Sequence, residues 1–258
     1  MILVYVFNIP VRDNRRLERV IDSVKKDVKL QTLWKCVNTM AIGRIGYTDH
    51  GPTHVKGVAN SALKPLKILI DRKVVPSIVR DYGMKNEDAE VVVVLGSIFH
   101  GLGMVVTGDE HELYGVLLAS GFIEKFLQEV HSEEERTIIL SEVLHAIVSH
   151  EEPQKPLTIE AGIVQIADAL DMKKGRATIP FQSGKVDIHS VSALSIEKVD
   201  IQEGDKMPVV IKITMSNAAG IFQLDELLKP RIESPGLKNH IHVVAQITQE
   251  KEKDTGQV

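Results

Sequence analysis

The sequence predicts a mainly α protein that ends in a small α+β unit. Three observations carry that expectation. Apolar residues recur at helical spacing through the first two-thirds of the 258 residues. After "MKKGRATIP" the texture changes to alternating runs rich in β-branched residues. Hydrophobic residues make up 43% of the chain, enough for one large or two modest cores. The limits read from the change of texture are 1–177 for a helical domain, 178–250 for the α+β domain and 251–258 for a polar tail.

The elements follow in order. "NRRLERVIDSVKKDVKL" places Leu17, Val20, Ile21, Val24 and Val28 on one helical stripe. "THVKGVANSALKPLKILIDR" follows a Gly-Pro turn, with Thr53 as N-cap and a kink expected at Pro65. "NEDAEVVVVLGSIFHGLG" opens on acids and closes on glycines, so its four valines read as a buried helix rather than a strand. "DEHELYGVLLASGFIEKFLQEV", "SEEERTIILSEVLHAIVSHE" and "TIEAGIVQIADALDM" are three further amphipathic helices, the last two with capped starts. In the last third, "KVDIHSVSALSIEKVDIQ" and "MPVVIKITM" read as strands joined through "GDKMP". "GIFQLDELLKPRI" is a short helix ended by Pro230 or just after it, and "NHIHVVAQITQ" a last strand whose edge could pair with a second subunit.

Charge and composition narrow the function. A net charge of −4 gives no bulk attraction to nucleic acid or membranes. No apolar run approaches the length of about 20 residues that spans a bilayer. The start lacks the basic region and cleavage site of a signal peptide. A single cysteine, Cys36, rules out an intrachain disulfide and fits a reducing compartment, so the expected location is the cytoplasm.

The histidines are uneven. His50, His54, His100, His111, His145 and His150 lie in the helical part, mostly at helix ends. Asp168 sits in an otherwise apolar helix, where an unpaired carboxylate is costly. Imidazoles and carboxylates converging from facing helices are what a metal site needs. The competing reading makes each an ordinary polar residue at a helix end.

The order "YTDHGPTHV", a histidine closing an apolar helix, "HELYG", "AIVSHEE" and "IVQIADALDM" resembles the HD-domain metal-dependent phosphohydrolases over about residues 40–175. That superfamily is a helical bundle. Its signature is a first His, a His-Asp pair ending a buried helix and a late Asp. Many members add two histidines and bind two metals. The resemblance implies His54, His100, His111, His150 and Asp168 as metal ligands, with His100 and Asp168 central to catalysis. It implies a divalent transition metal (Mn, Fe, Co, Ni or Zn), as one or two ions. It also implies a phosphorylated small molecule, such as a nucleotide, as substrate, received by Arg44, Lys173 and Arg176, with Lys56 and Lys174 as further candidate cations.

The departure is Gly101, where the family has the Asp of its pair. Three readings follow: a single-metal site, a catalytically inactive nucleotide-binding or assembly protein, or a substitution in an otherwise active enzyme with weakened metal affinity. Asp49 and His50 either orient His54 or serve the turn. Glu112 and Glu151 either support neighbouring ligands or face solvent, and Asp171 either steadies the site or caps its helix. His145 falls outside the ligand set. His131, His189, His240 and His242 read as surface or strand residues.

Overall fold

The computed structural model describes residues 8–11, 13–172, 192–233 and 237–248. It is mainly helical, with a three-stranded sheet near the C-terminal end. The helices are α1 (Arg15–Lys26), α2 (Val28–Asn38), α3 (Pro52–Asp71), α4 (Ser77–Tyr82), α5 (Asn86–Phe99), α6 (His111–Leu127), α7 (Glu133–Val148) and α8 (Ile159–Ala169). The boundary expected at 177/178, together with "KVDIHS" and the polar tail, lies outside the described residues.

The stripe expected as one helix over 14–30 is two. Asp27 leaves the helical region with φ −78° and ψ 101°, and its carboxylate accepts from Leu30 N at 2.8 Å. An aspartate that can cap a new start competes with continuing the old helix. Val28 consequently begins α2 and is exposed, not part of the buried stripe. The α3 cap is Gly51 with Pro52 in the first turn, so Thr53 lies inside the helix. The helix runs on through Pro65.

Helix α5 is the axis of the bundle. It packs against α1, α3, α4, α6, α7 and α8, and every residue from Val91 to Phe99 is buried. Burying each such valine or leucine contributes about 1.5–3 kcal/mol. The helical stretch Asn86–Val105 is long and apolar enough to cross a bilayer, which the sequence reading had not expected, and 89% of its most apolar window is buried inside the protein. An apolar helix of that length is also what the middle of a bundle requires.

The sheet has order β1 (Ile196–Glu203), β2 (Val209–Met215), β3 (Ile241–Ile247), with β1–β2 antiparallel and β2–β3 parallel. The expected strand start is shifted, because 192–194 form a helical turn. A bulge between Ile196 and Lys198 corrects the phase of β1. Ile196, Val199 and Ile201 thereby sit opposite Met215, Ile213 and Ile211. The sheet packs on α3 through β1 and β2. Between β2 and β3 the chain makes a π-helical stretch, Gln223–Leu228, that runs into α9 (Lys229–Ile232), two residues beyond Pro230.

Candidate metal centre

Each candidate histidine is placed by the end of an element. His54 lies in the first turn of α3. His100 is the C-cap of α5. His111 opens α6 after Glu110, which turns the chain at φ 54°. His150 follows the C-cap Ser149 of α7, and Asp168 sits near the end of α8. Gly103 matters to this arrangement. A Cβ there would collide with the carbonyl oxygen of His111, so only glycine lets the turn after α5 meet the start of α6.

The side chains converge in two groups. His54 Nε2 and His100 Nε2 are 3.0 Å apart, and Asp168 Oδ1 lies 3.3 Å and 3.5 Å from them. His111 Nε2 and His150 Nε2 are 3.2 Å apart and form a second group with Glu151. The rings of His100 and His150 meet edge to face at 5.0 Å and link the two. All four imidazoles are buried.

The opposite ring nitrogens fix what these faces are. His54 Nδ1 donates to Asp171 Oδ2 at 2.6 Å. His100, His111 and His150 donate Nδ1–H to the carbonyls of Ser97 (2.8 Å), Gly108 (3.0 Å) and Ile147 (2.6 Å). With Nδ1 as the donor, each ring points its Nε2 inward, and that atom is free to act as a ligand whenever it carries no proton. Two such nitrogens 3.0 Å apart beside a carboxylate need a positive charge among them, either a proton or a metal ion. Two nitrogens on one metal at about 2.0–2.1 Å are roughly 2.8–3.4 Å apart, depending on the angle at the metal. The donor set and its spacing therefore fit a transition-metal ion.

Electrostatics agree. Burial pushes His100 below its ordinary pKa despite Asp168, and burial together with the neighbouring His100 pushes His150 well below. Both rings are thus kept available as neutral ligands. Burial raises Asp168, but the hydrogen bonds and charge that His100 and His54 supply when protonated outweigh it and hold the carboxyl well below the usual range. Asp168 is anionic in the site.

The structure also places the residues read as alternatives. Asp171 orients His54 rather than capping its helix. Asp49 accepts from Gly51 N at 2.7 Å and serves the turn. Glu112 is buried, 3.9 Å from His111 Nδ1. His145 takes no part in either group, since its Nε2 accepts from Leu157 N at 2.9 Å. Arg44 is exposed, and Lys173, Lys174, Arg176 and His189 lie outside the described residues. His131, expected on the surface, is buried with Nε2 2.9 Å from Asp88. Nothing in the local sequence distinguishes it from an exposed histidine before a helix cap. Glu151 joins the second group through its place beside His150, a signal the sequence held but left ambiguous.

The comparisons with known proteins bear on this site. The family model described as HD domain matches residues 74–173. The uncharacterized protein MJ1020 of Methanocaldococcus jannaschii is 46% identical over 232 residues, 90% of each chain. No solved structure matches. Residues 74–173 thus place the chain in the HD-domain superfamily, a superfamily of metal-dependent phosphohydrolases at the coarse level.

Proposed function

We propose that the protein is a metal-dependent phosphohydrolase acting on a nucleotide or a related phosphate ester. One observation carries the reading: the buried Nε2 atoms of His54 and His100 face each other at 3.0 Å with Asp168 beside them, an acceptor cluster that calls for a cation. In this reading His54, His100 and Asp168 hold one ion, and His111, His150 and Glu151 hold another. A divalent metal there supplies Lewis-acid polarisation of a phosphoryl oxygen and a lowered pKa for bound water.

The chain's own residues do the rest. Asp171 fixes the His54 ring, and the backbone carbonyls of Ser97, Gly108 and Ile147 fix the other three. Asp168 brings negative charge that favours the cation over a proton-poor void. Arg44, Lys173 and Arg176 are the cations proposed to receive the substrate's phosphate. The exposed thiol of Cys36 suits a reducing cytoplasm.

A second reading, a catalytically inactive nucleotide-binding or assembly protein, rests on Gly101, which offers no side-chain ligand. Metal analysis of the purified chain, with phosphate release screened over phosphate monoesters and cyclic nucleotides, separates the two. The enzyme reading expects bound transition metal and turnover that falls at least ~100-fold in Asp168→Ala, beyond the ~10–100-fold that loss of an orienting partner costs. Metal without turnover on any ester favours the second reading. Absence of bound metal after loading sinks the first.

A further inference from the structure

The sheet has two edges, β1 and β3, and only one is guarded. Strand β1 carries Glu197, Lys198, Asp200 and Glu203 and is bent by its bulge. Charge and a bulge on an edge strand discourage another strand from adding to it. Strand β3 has no Asp, Glu, Lys or Arg and pairs with β2 without a bulge. Among the described residues no strand pairs with its outer side.

The register fixes which groups that side offers. Val209 N donates to the His240 carbonyl at 3.0 Å, and Thr248 N donates to the Met215 carbonyl at 2.8 Å. Direction alternates along a regular strand, so the even-numbered residues between them bond to β2. Ile241, Val243, Ala245 and Ile247 therefore turn their N–H and C=O groups outward. Their side chains lie on the same face as the buried Val209, Ile211, Ile213 and Met215 of β2, opposite which they stand. Burial fades along this row. Ile241 is buried, while Ala245 and Ile247 are exposed, the latter to 44%. An apolar layer thus runs to the edge of the sheet and ends in solvent.

The order Ile-His-Val-Val-Ala-Gln-Ile matches itself in both directions about Val244, apolar for apolar and polar for polar. A strand recruiting a different protein has no use for that symmetry, whereas a two-fold axis demands it. We propose that two copies of the chain join through β3, antiparallel about a two-fold axis at Val244, into one continuous sheet. In that register Ile241 meets the partner's Ile247, and Val243 meets the partner's Ala245. All four present outward backbone groups, so both are hydrogen-bonded pairs. Their apolar side chains pack across the junction, and Ile247 is covered.

Sedimentation velocity of the full chain over a range of concentrations tests it, with circular-dichroism melting of each variant as a check of folding. The parent is expected to dimerise. Val244→Lys sets two like charges against each other at the axis. Ala245→Pro removes an outward N–H without touching a bond to β2. Each is expected to raise the dissociation constant of the dimer roughly tenfold or more. A cross-link supplies a positive readout. With Cys36→Ser removing the exposed native thiol, Val244→Cys is expected to form an intermolecular disulfide under mild oxidation. Facing residues of a non-hydrogen-bonded pair lie about 4.5 Å apart at Cα, within disulfide reach. Gln246→Cys, on the same face but away from the axis, is expected to stay reduced. A parent that remains monomeric at every concentration overturns the proposal, and the edge then serves another strand, from this chain or from a different protein. A dimer that forms as tightly in folded Val244→Lys and Ala245→Pro, or that leaves Val244→Cys uncross-linked, overturns it too.

Discussion

Helix α5 carries a histidine–carboxylate cluster at each end, and the two are built oppositely. At its start, Asp88 Oδ1 accepts from Arg16 at 2.7 Å and from His131 at 2.9 Å, while Oδ2 accepts from Lys85 N at 3.0 Å. Arg16 also reaches Glu135 at 3.2 Å. Acceptors there meet donors, and the cluster ties α1, α5 and the start of α7 together. At the far end, His100 Nε2 faces His54 Nε2 and the Asp168 carboxylate, with no arginine or backbone N–H between them among the described residues. The same residue types make a strut at one end and, in the function proposed above, a cation site at the other. The strut has one loose end, the buried His131 Nδ1, which has no partner among the described residues.

Three measurements break or sharpen this contrast. The largest effect is expected at the strut. Asp88→Ala strands Arg16 and His131 and should cost about 3 kcal/mol in chemical denaturation, with cobalt affinity of the folded protein unchanged. A loss of cobalt affinity without loss of stability would reverse the two roles. A smaller effect is expected at the other end, where Asp171→Ala frees the His54 ring. Cobalt affinity should fall roughly tenfold, with the melting temperature of the metal-free protein little changed. If only stability falls, Asp171 is a structural residue.

The smallest effect concerns acid. Burial raises the Asp88 carboxyl, but the bonds from His131 and Arg16 outweigh it and leave its pKa lowered. A depressed folded pKa stabilises above the unfolded value, near 3.9, and that stabilisation is lost as pH falls through the folded value. The stability gap between the parent and Asp88→Asn should therefore narrow below about pH 4. A gap that stays constant into acid would show that the charge on Asp88 contributes nothing.

Much of the bundle was legible because its signals are local. The acids before the four valines decided helix over strand for α5. Ser132 and Thr158 announced the starts of α7 and α8, and their side chains accept from Glu135 N and Ala161 N. The order of the histidines, with Asp168 last, marked the residues that the fold gathers. What stayed hidden depends on partners distant in sequence. Asp27 breaks the first helix because capping and continuation compete closely, and Lys125 from α6, 2.7 Å away, secures the capping carboxylate. His131 is buried only because Asp88, 43 positions earlier, receives it. Asp171 finds His54 across 117 positions, a meeting that helical periodicity cannot foretell.

The direction of β3 has an effect beyond the sheet. Strands β2 and β3 run parallel, so the chain between them cannot turn tightly and must travel back along one side. That return path carries Glu226 and Arg231 to a cleft of about 270 Å³ that they share with Glu151 and Glu152. Glu151 is also the neighbour of His111 and His150. The parallel pairing of two strands thus brings residues of the C-terminal unit beside the second histidine group of the bundle.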